Sequence, residues 1–146
     1  VLNEHFIQSA LRNLMAAKQL RVDPLLLDVG VYLAGYAAEC SYKAILEYYM
    51  NVSTAKAFQH NLSEMSLKGL KRLKMLMPHT ESMSLPSLDS NAVLYRHHPE
   101  RRYAANYLWE QEEAREAIES ASLLVESTLF EMILDGKIER KELGLS

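Results

Sequence analysis

Apolar residues return every third or fourth position along most of this chain, the spacing of one face of an α-helix. From Asn3 to Leu20, Phe6, Ile7, Ala10, Leu11, Leu14 and Ala17 form such a stripe. Asp23-Pro24 closes it, because proline disfavours helix in the residue before it. A second helix is predicted from Pro24 or Leu25 to Met50. Its apolar face is Val29, Leu33, Tyr36, Ala37, Cys40, Ala44, Ile45 and Tyr48. Gly30, Ala34, Ala38 and Ser41 add a second stripe of small side chains, which lets another helix approach closely, inside a bundle or across a dimer interface.

A third helix is predicted from Leu62 to Met77, with Leu62, Met65, Leu70, Leu73 and Met77 facing inward. Asn61 or Ser63 can cap its start, and Pro78 stops it. A fourth runs from Tyr107 to Leu134 on a stripe that includes Leu108, Ala114, Ala117, Ile118, Ala121, Leu124, Val125, Leu129, Met132 and Ile133. Glu110, Glu112, Glu113 and Glu116 favour the positive end of its dipole. Asp135-Gly136 ends it, glycine being the usual residue past a helix. The expectation is an all-α, up-and-down four-helix bundle over 1–136, with a long loop or a short extra helix before the last helix. Residues 137–146 read as a polar tail that frays.

Composition sharpens this picture in three ways. With 146 residues, 49% hydrophobic and 24% charged, the chain has the size and core of one globular domain. Its 5 glycines and 4 prolines are few, as long helices require. The net charge of −3 supplies no global positive field for nucleic acid, so an anion site has to be a local patch. The one cysteine, Cys40, sits in an apolar stretch and reads as a buried small hydrophobe in a reducing, cytoplasmic setting. No apolar run is long enough to span a bilayer, and the first residues lack the basic-then-apolar pattern of a signal peptide.

The residues able to do chemistry gather between the third and fourth helices. Tyr95-Arg96-His97-His98-Pro99-Glu100-Arg101-Arg102-Tyr103 sets three arginines among aromatic rings. Forked guanidinium donors grip phosphates, and the tyrosines can stack on bases. The plainer alternative is a solvated loop whose arginines pair with the glutamates that open the fourth helix. Glu39 and Lys43, four apart with the acid first, can pair along one helix face; their plainer reading is a solvated helix edge. His60 has a capping or packing role as its plainer reading. No HExxH, no Cys/His ligand spacing and no glycine-rich phosphate loop is present, so neither a metal nor a cofactor is expected.

Tyr32-Leu33-Ala34-Gly35-Tyr36-Ala37-Ala38-Glu39-Cys40-Ser41-Tyr42-Lys43-Ala44-Ile45-Leu46 resembles the second helix of the HEPN domain family, small helical domains of prokaryotic toxin and nucleotidyltransferase systems. His60-Asn61-Leu62 stands where that family usually shows His-Asp-Leu, and Arg102-Tyr103 precedes the last long helix. The resemblance implies an up-and-down bundle, a homodimer with an intersubunit cleft, and binding of nucleotides or RNA. Some members are metal-independent ribonuclease toxins built on Arg, four to six residues, then His; others partner a separate nucleotidyltransferase antitoxin chain. Arg72 and His79 fit that spacing, but they lie at the end of the third helix instead of near the last. Arg96, Arg101 and Arg102 have no histidine at that distance downstream. The resemblance therefore implies a noncatalytic nucleotide or RNA binder, with Arg96, His97, Arg101 and Arg102 on phosphate and Tyr103 stacking. Lys43 paired to Glu39, together with His60, would support them.

Overall fold

The computed structural model describes residues 5–83, 93–94, 98 and 109–144. Among these the chain is all-helical. The elements are α1 (Phe6–Leu20), α2 (Leu27–Tyr49), α3 (Val52–Ala57), α4 (Leu62–Glu64), α5 (Leu70–Leu76) and α6 (Gln111–Leu134). Tighter 3-10 turns cover Pro24–Leu26, Pro78–Ser82 and Arg140–Leu143.

The centre of the molecule is α2. Val31, Ala34, Ala37, Ala38, Tyr42, Ala44, Ile45 and Leu46 are fully buried on it. Sides that a surface helix would show to water are covered by α1, α6 and the shorter helices. The small-residue stripe does this work inside the bundle. A side chain at Gly30 would meet Ile118 Cδ1 of α6 at 3.1 Å and the Ala17 carbonyl oxygen of α1 at 3.5 Å. Gly30 thus lets both helices close on α2. Val29, placed on the apolar face by its spacing, is instead exposed, and Val31 takes the core.

Contacts fix the directions of the long helices. Gly30 lies against Ile118, and Tyr49 donates a hydrogen bond to Asp135 Oδ2 at 2.6 Å, so α6 runs parallel to α2. Lys18 pairs with Glu126 at 3.1 Å, and Arg21 pairs with Glu119, so α6 runs antiparallel to α1. Both pairs are surface pairs and contribute little to stability.

The predicted third helix is present but not straight. Leu62, Met65, Leu70 and Leu73 are all buried, as expected, yet Met65 and Leu70 are five residues apart, which a regular α-helix cannot keep on one face. A π turn over Met65–Gly69 absorbs the extra residue, its closing bond running from Leu70 N–H to the Met65 carbonyl. Asn61 caps the start by accepting from Glu64 N–H at 3.0 Å. Two features differ from expectation. Helix α3 fills a stretch with no apolar periodicity, started by Asn51, whose side chain accepts from Thr54 N–H at 2.7 Å. The tail does not fray through residue 144. Ile138 is buried, Gln8 Nε2 donates to the Glu142 carbonyl at 3.3 Å, and Tyr48 donates to Glu142 Oε1 at 3.2 Å. Helix α6 is described from Gln111, with Glu113 accepting from Glu110 N–H at 3.4 Å; Tyr107 and Leu108 lie outside the described residues.

Candidate functional site

Tyr32, Tyr36, Glu39 and Lys43 follow one another at steps of four, three and four, so they share one face of α2. That face is half aromatic and half ionic. Tyr32 and Tyr36 meet edge to face with centroids 4.9 Å apart. Glu39 and Lys43 form an ion pair of 3.0 Å with both side chains nearly out of water. The solvated helix edge expected for this pair is therefore overturned: neighbouring elements close over both groups.

Two histidines from distant parts of the chain complete the cluster. His60 Nδ1 lies 3.1 Å from both carboxylate oxygens of Glu39. His98 Nε2 lies 3.0 Å from Glu39 Oε1. The Tyr36 ring stands edge to face with both, at 4.9 Å from the His98 ring and 5.9 Å from the His60 ring. Lys43 Nζ also sits 5.7 Å from the centroid of the Phe6 ring.

Three donors therefore converge on one buried carboxylate. Burial by itself raises the Glu39 carboxyl, but hydrogen bonds from His98, Lys43 and His60 and the Lys43 charge more than offset it. The group is held below its ordinary value of 4.5 and stays ionised. An ionised carboxylate only accepts, so each ring nitrogen facing it carries a hydrogen. His98 is thereby held with Nε2–H toward Glu39, and His60 with Nδ1–H toward it. The His98 side chain is 0% exposed, whereas that of His60 is 53% exposed. His60 Nε2 has no hydrogen-bond partner among the described residues.

The loop that delivers His60 is unusual. Gln59 has φ +50°, a left-handed backbone that non-glycine residues adopt at a cost. The turn is closed by Gln59 N–H to the Lys56 carbonyl at 3.0 Å and Asn61 N–H to the Phe58 carbonyl at 2.9 Å. His60 is thus set in place by a strained residue before it and a helix cap after it, more than the capping or packing role that is its plainer reading.

Of the residues singled out from sequence, Glu39, Lys43 and His60 come together. Arg96, His97, Arg101, Arg102 and Tyr103 lie outside the described residues. The phosphate set expected from sequence takes His97 from the adjacent pair, whereas His98 is the neighbour that reaches Glu39. No signal separates two adjacent histidines in the chain. Tyr36 falls on the apolar face expected of the second helix, although its spacing to Glu39 and Lys43 is visible in the sequence.

His79, which fits the spacing with Arg72, lies elsewhere. His79 Nε2 is 3.5 Å from Asp135 Oδ2, and its ring is 6.0 Å from the Tyr49 ring. Tyr49 lies ten residues beyond Glu39, about 15 Å along α2 at the usual helical rise. Burial, then the bond to Asp135, raises the Tyr49 hydroxyl, which makes it a structural donor. Cys40 is equally inert: burial and then the Glu39 charge push its thiol up to about 12.

Among the described residues no group of three or more His, Cys, Asp or Glu could hold a metal ion. No described helix is long and apolar enough to cross a membrane. No family model matches the chain, and no curated protein or solved structure is significantly similar to it.

Proposed function

We propose that this chain is a HEPN-like domain that binds nucleotide or RNA phosphate without cleaving it, as a homodimer working with a nucleotidyltransferase partner. One observation carries the reading. The buried Glu39 carboxylate, on the helix that resembles the family, accepts a hydrogen bond from His98 in the arginine-rich segment. Arg96 and Arg101 stand two and three residues from His98 in the chain. The His60 imidazole and the Tyr36 ring add a titratable group and an aromatic edge, a set that suits a phosphate with an attached base.

The experiment is anisotropy titration of labelled single-stranded RNA and of nucleotides at low salt. The reading expects saturable binding that weakens steeply with salt and by about tenfold or more after Arg101→Ala with Arg102→Ala. Absence of binding by either probe, or equal binding by the double variant, removes it.

A second reading is a metal-independent ribonuclease toxin of a toxin–antitoxin system. It is favoured by one feature: His60 and His98 share a carboxylate, as groups that pass protons do. It expects RNA cleavage that survives EDTA and disappears in His60→Ala. Intact RNA after long incubation with pure protein eliminates it.

A further inference from the structure

The tautomer of His60 has a consequence for binding. With Nδ1–H committed to Glu39, a neutral His60 turns a bare Nε2 lone pair outward. A lone pair and a phosphate oxygen are both acceptors and repel. Only when Nε2 takes a proton does the ring become a donor on both sides. Glu39 lies directly behind the ring, at 3.1 Å from Nδ1.

Resting on the phosphate-binding reading above, we propose that His60 is a phosphate contact of this site and takes up one proton from solution when phosphate binds. Nδ1–H stays on Glu39, and the new Nε2–H donates to a phosphate oxygen. No bond to phosphorus forms or breaks.

The surroundings single out His60 for this part. Lys43 faces the same carboxylate, but its ammonium is buried between Glu39 and the Phe6 ring. His98 faces it as well, with its side chain wholly covered. From α2 the remaining ring toward His60 is Tyr36, an edge contact. Among the described groups gathered on Glu39, His60 alone combines a tie to the carboxylate with half-exposure. The left-handed Gln59 and the Asn61 cap hold that arrangement before any ligand arrives.

The test uses the whole chain and a uridine dinucleotide, whose one phosphodiester does not titrate near neutrality. Any proton taken up then belongs to the protein. Calorimetry is run in two buffers of different ionisation enthalpy across pH 6 to 8. The expected result is uptake approaching one proton per dinucleotide, with affinity that weakens as pH rises. His60→Gln, an exposed substitution that keeps a neutral donor, should still bind, with no linked proton. Imidazole nitrogen NMR of the free protein at pH 8 should show His60 as the Nδ1–H tautomer. Proton uptake unchanged in His60→Gln, binding with no uptake in the parent chain, or an Nε2–H tautomer overturns this inference and leaves the phosphate-binding reading standing. No binding at any pH overturns both.

Discussion

Removing the charge of Glu39 while Lys43 stays leaves an ammonium in a nearly dry site with no carboxylate to meet it. Breaking a buried pair in this way costs about 3–5 kcal/mol. Glu39→Gln is therefore expected to lower the urea-unfolding free energy by that amount, and a loss under about 1 kcal/mol would show that the pair is solvated after all. The same carboxyl sets an acid limit. Its folded-state value lies below 4.5, so the stability it contributes is complete above its unfolded value and is lost as pH falls through the lower folded one. A series of urea midpoints down to acid pH should decline in the parent chain and flatten in Glu39→Gln. At this scale the sequence showed the pairing, through the four-residue step from Glu39 to Lys43. It could not show the burial, which comes from covering groups tens of residues away.

Individual elements were more legible. The stripes of α1 and α6 return in the structure nearly residue for residue, because a helix periodicity is a local property and needs only one wet side and one dry side. That of α2 returns only in part, with Ala37, Cys40, Ala44 and Ile45 buried and Val29 exposed, because that helix is covered on several sides. Even the π turn had left a trace, in the five-residue gap between Met65 and Leu70 that no straight helix bridges. Helix α3 left none, since a short helix held by an Asn51 cap and by packing against α2 needs no stripe of its own. The loop between α3 and α4 carries its own test. Gln59 occupies a conformation that glycine adopts freely, so Gln59→Gly should raise stability by about 1 kcal/mol, after part of the relief is lost to unfolded-chain entropy. Thermal unfolding of the variant measures this; a lowered midpoint would mean that the Gln59 side chain itself supports the turn.

For the whole molecule, the last described residues are part of the fold. Ile138 is 3% exposed, and Lys137 Nζ stands 4.9 Å from the centroid of the Tyr49 ring. Ile138→Ala should cost about 2–4 kcal/mol of unfolding free energy, whereas a frayed tail would show no change in the urea midpoint. The sequence misread this segment because its charged residues outnumber its apolar ones, and one well-placed isoleucine is enough to dock a turn.

By itself the chain determined that it would be helical, where its long helices run, which faces of them are apolar and where several are capped. Each of these depends on neighbours three or four residues away. Only the tertiary structure decided that one carboxylate on α2 would gather a lysine from its own helix and histidines 21 and 59 positions further along the chain. That choice is made by three-dimensional closure, which brings polar groups together only where covering helices exclude the water that would otherwise solvate them apart.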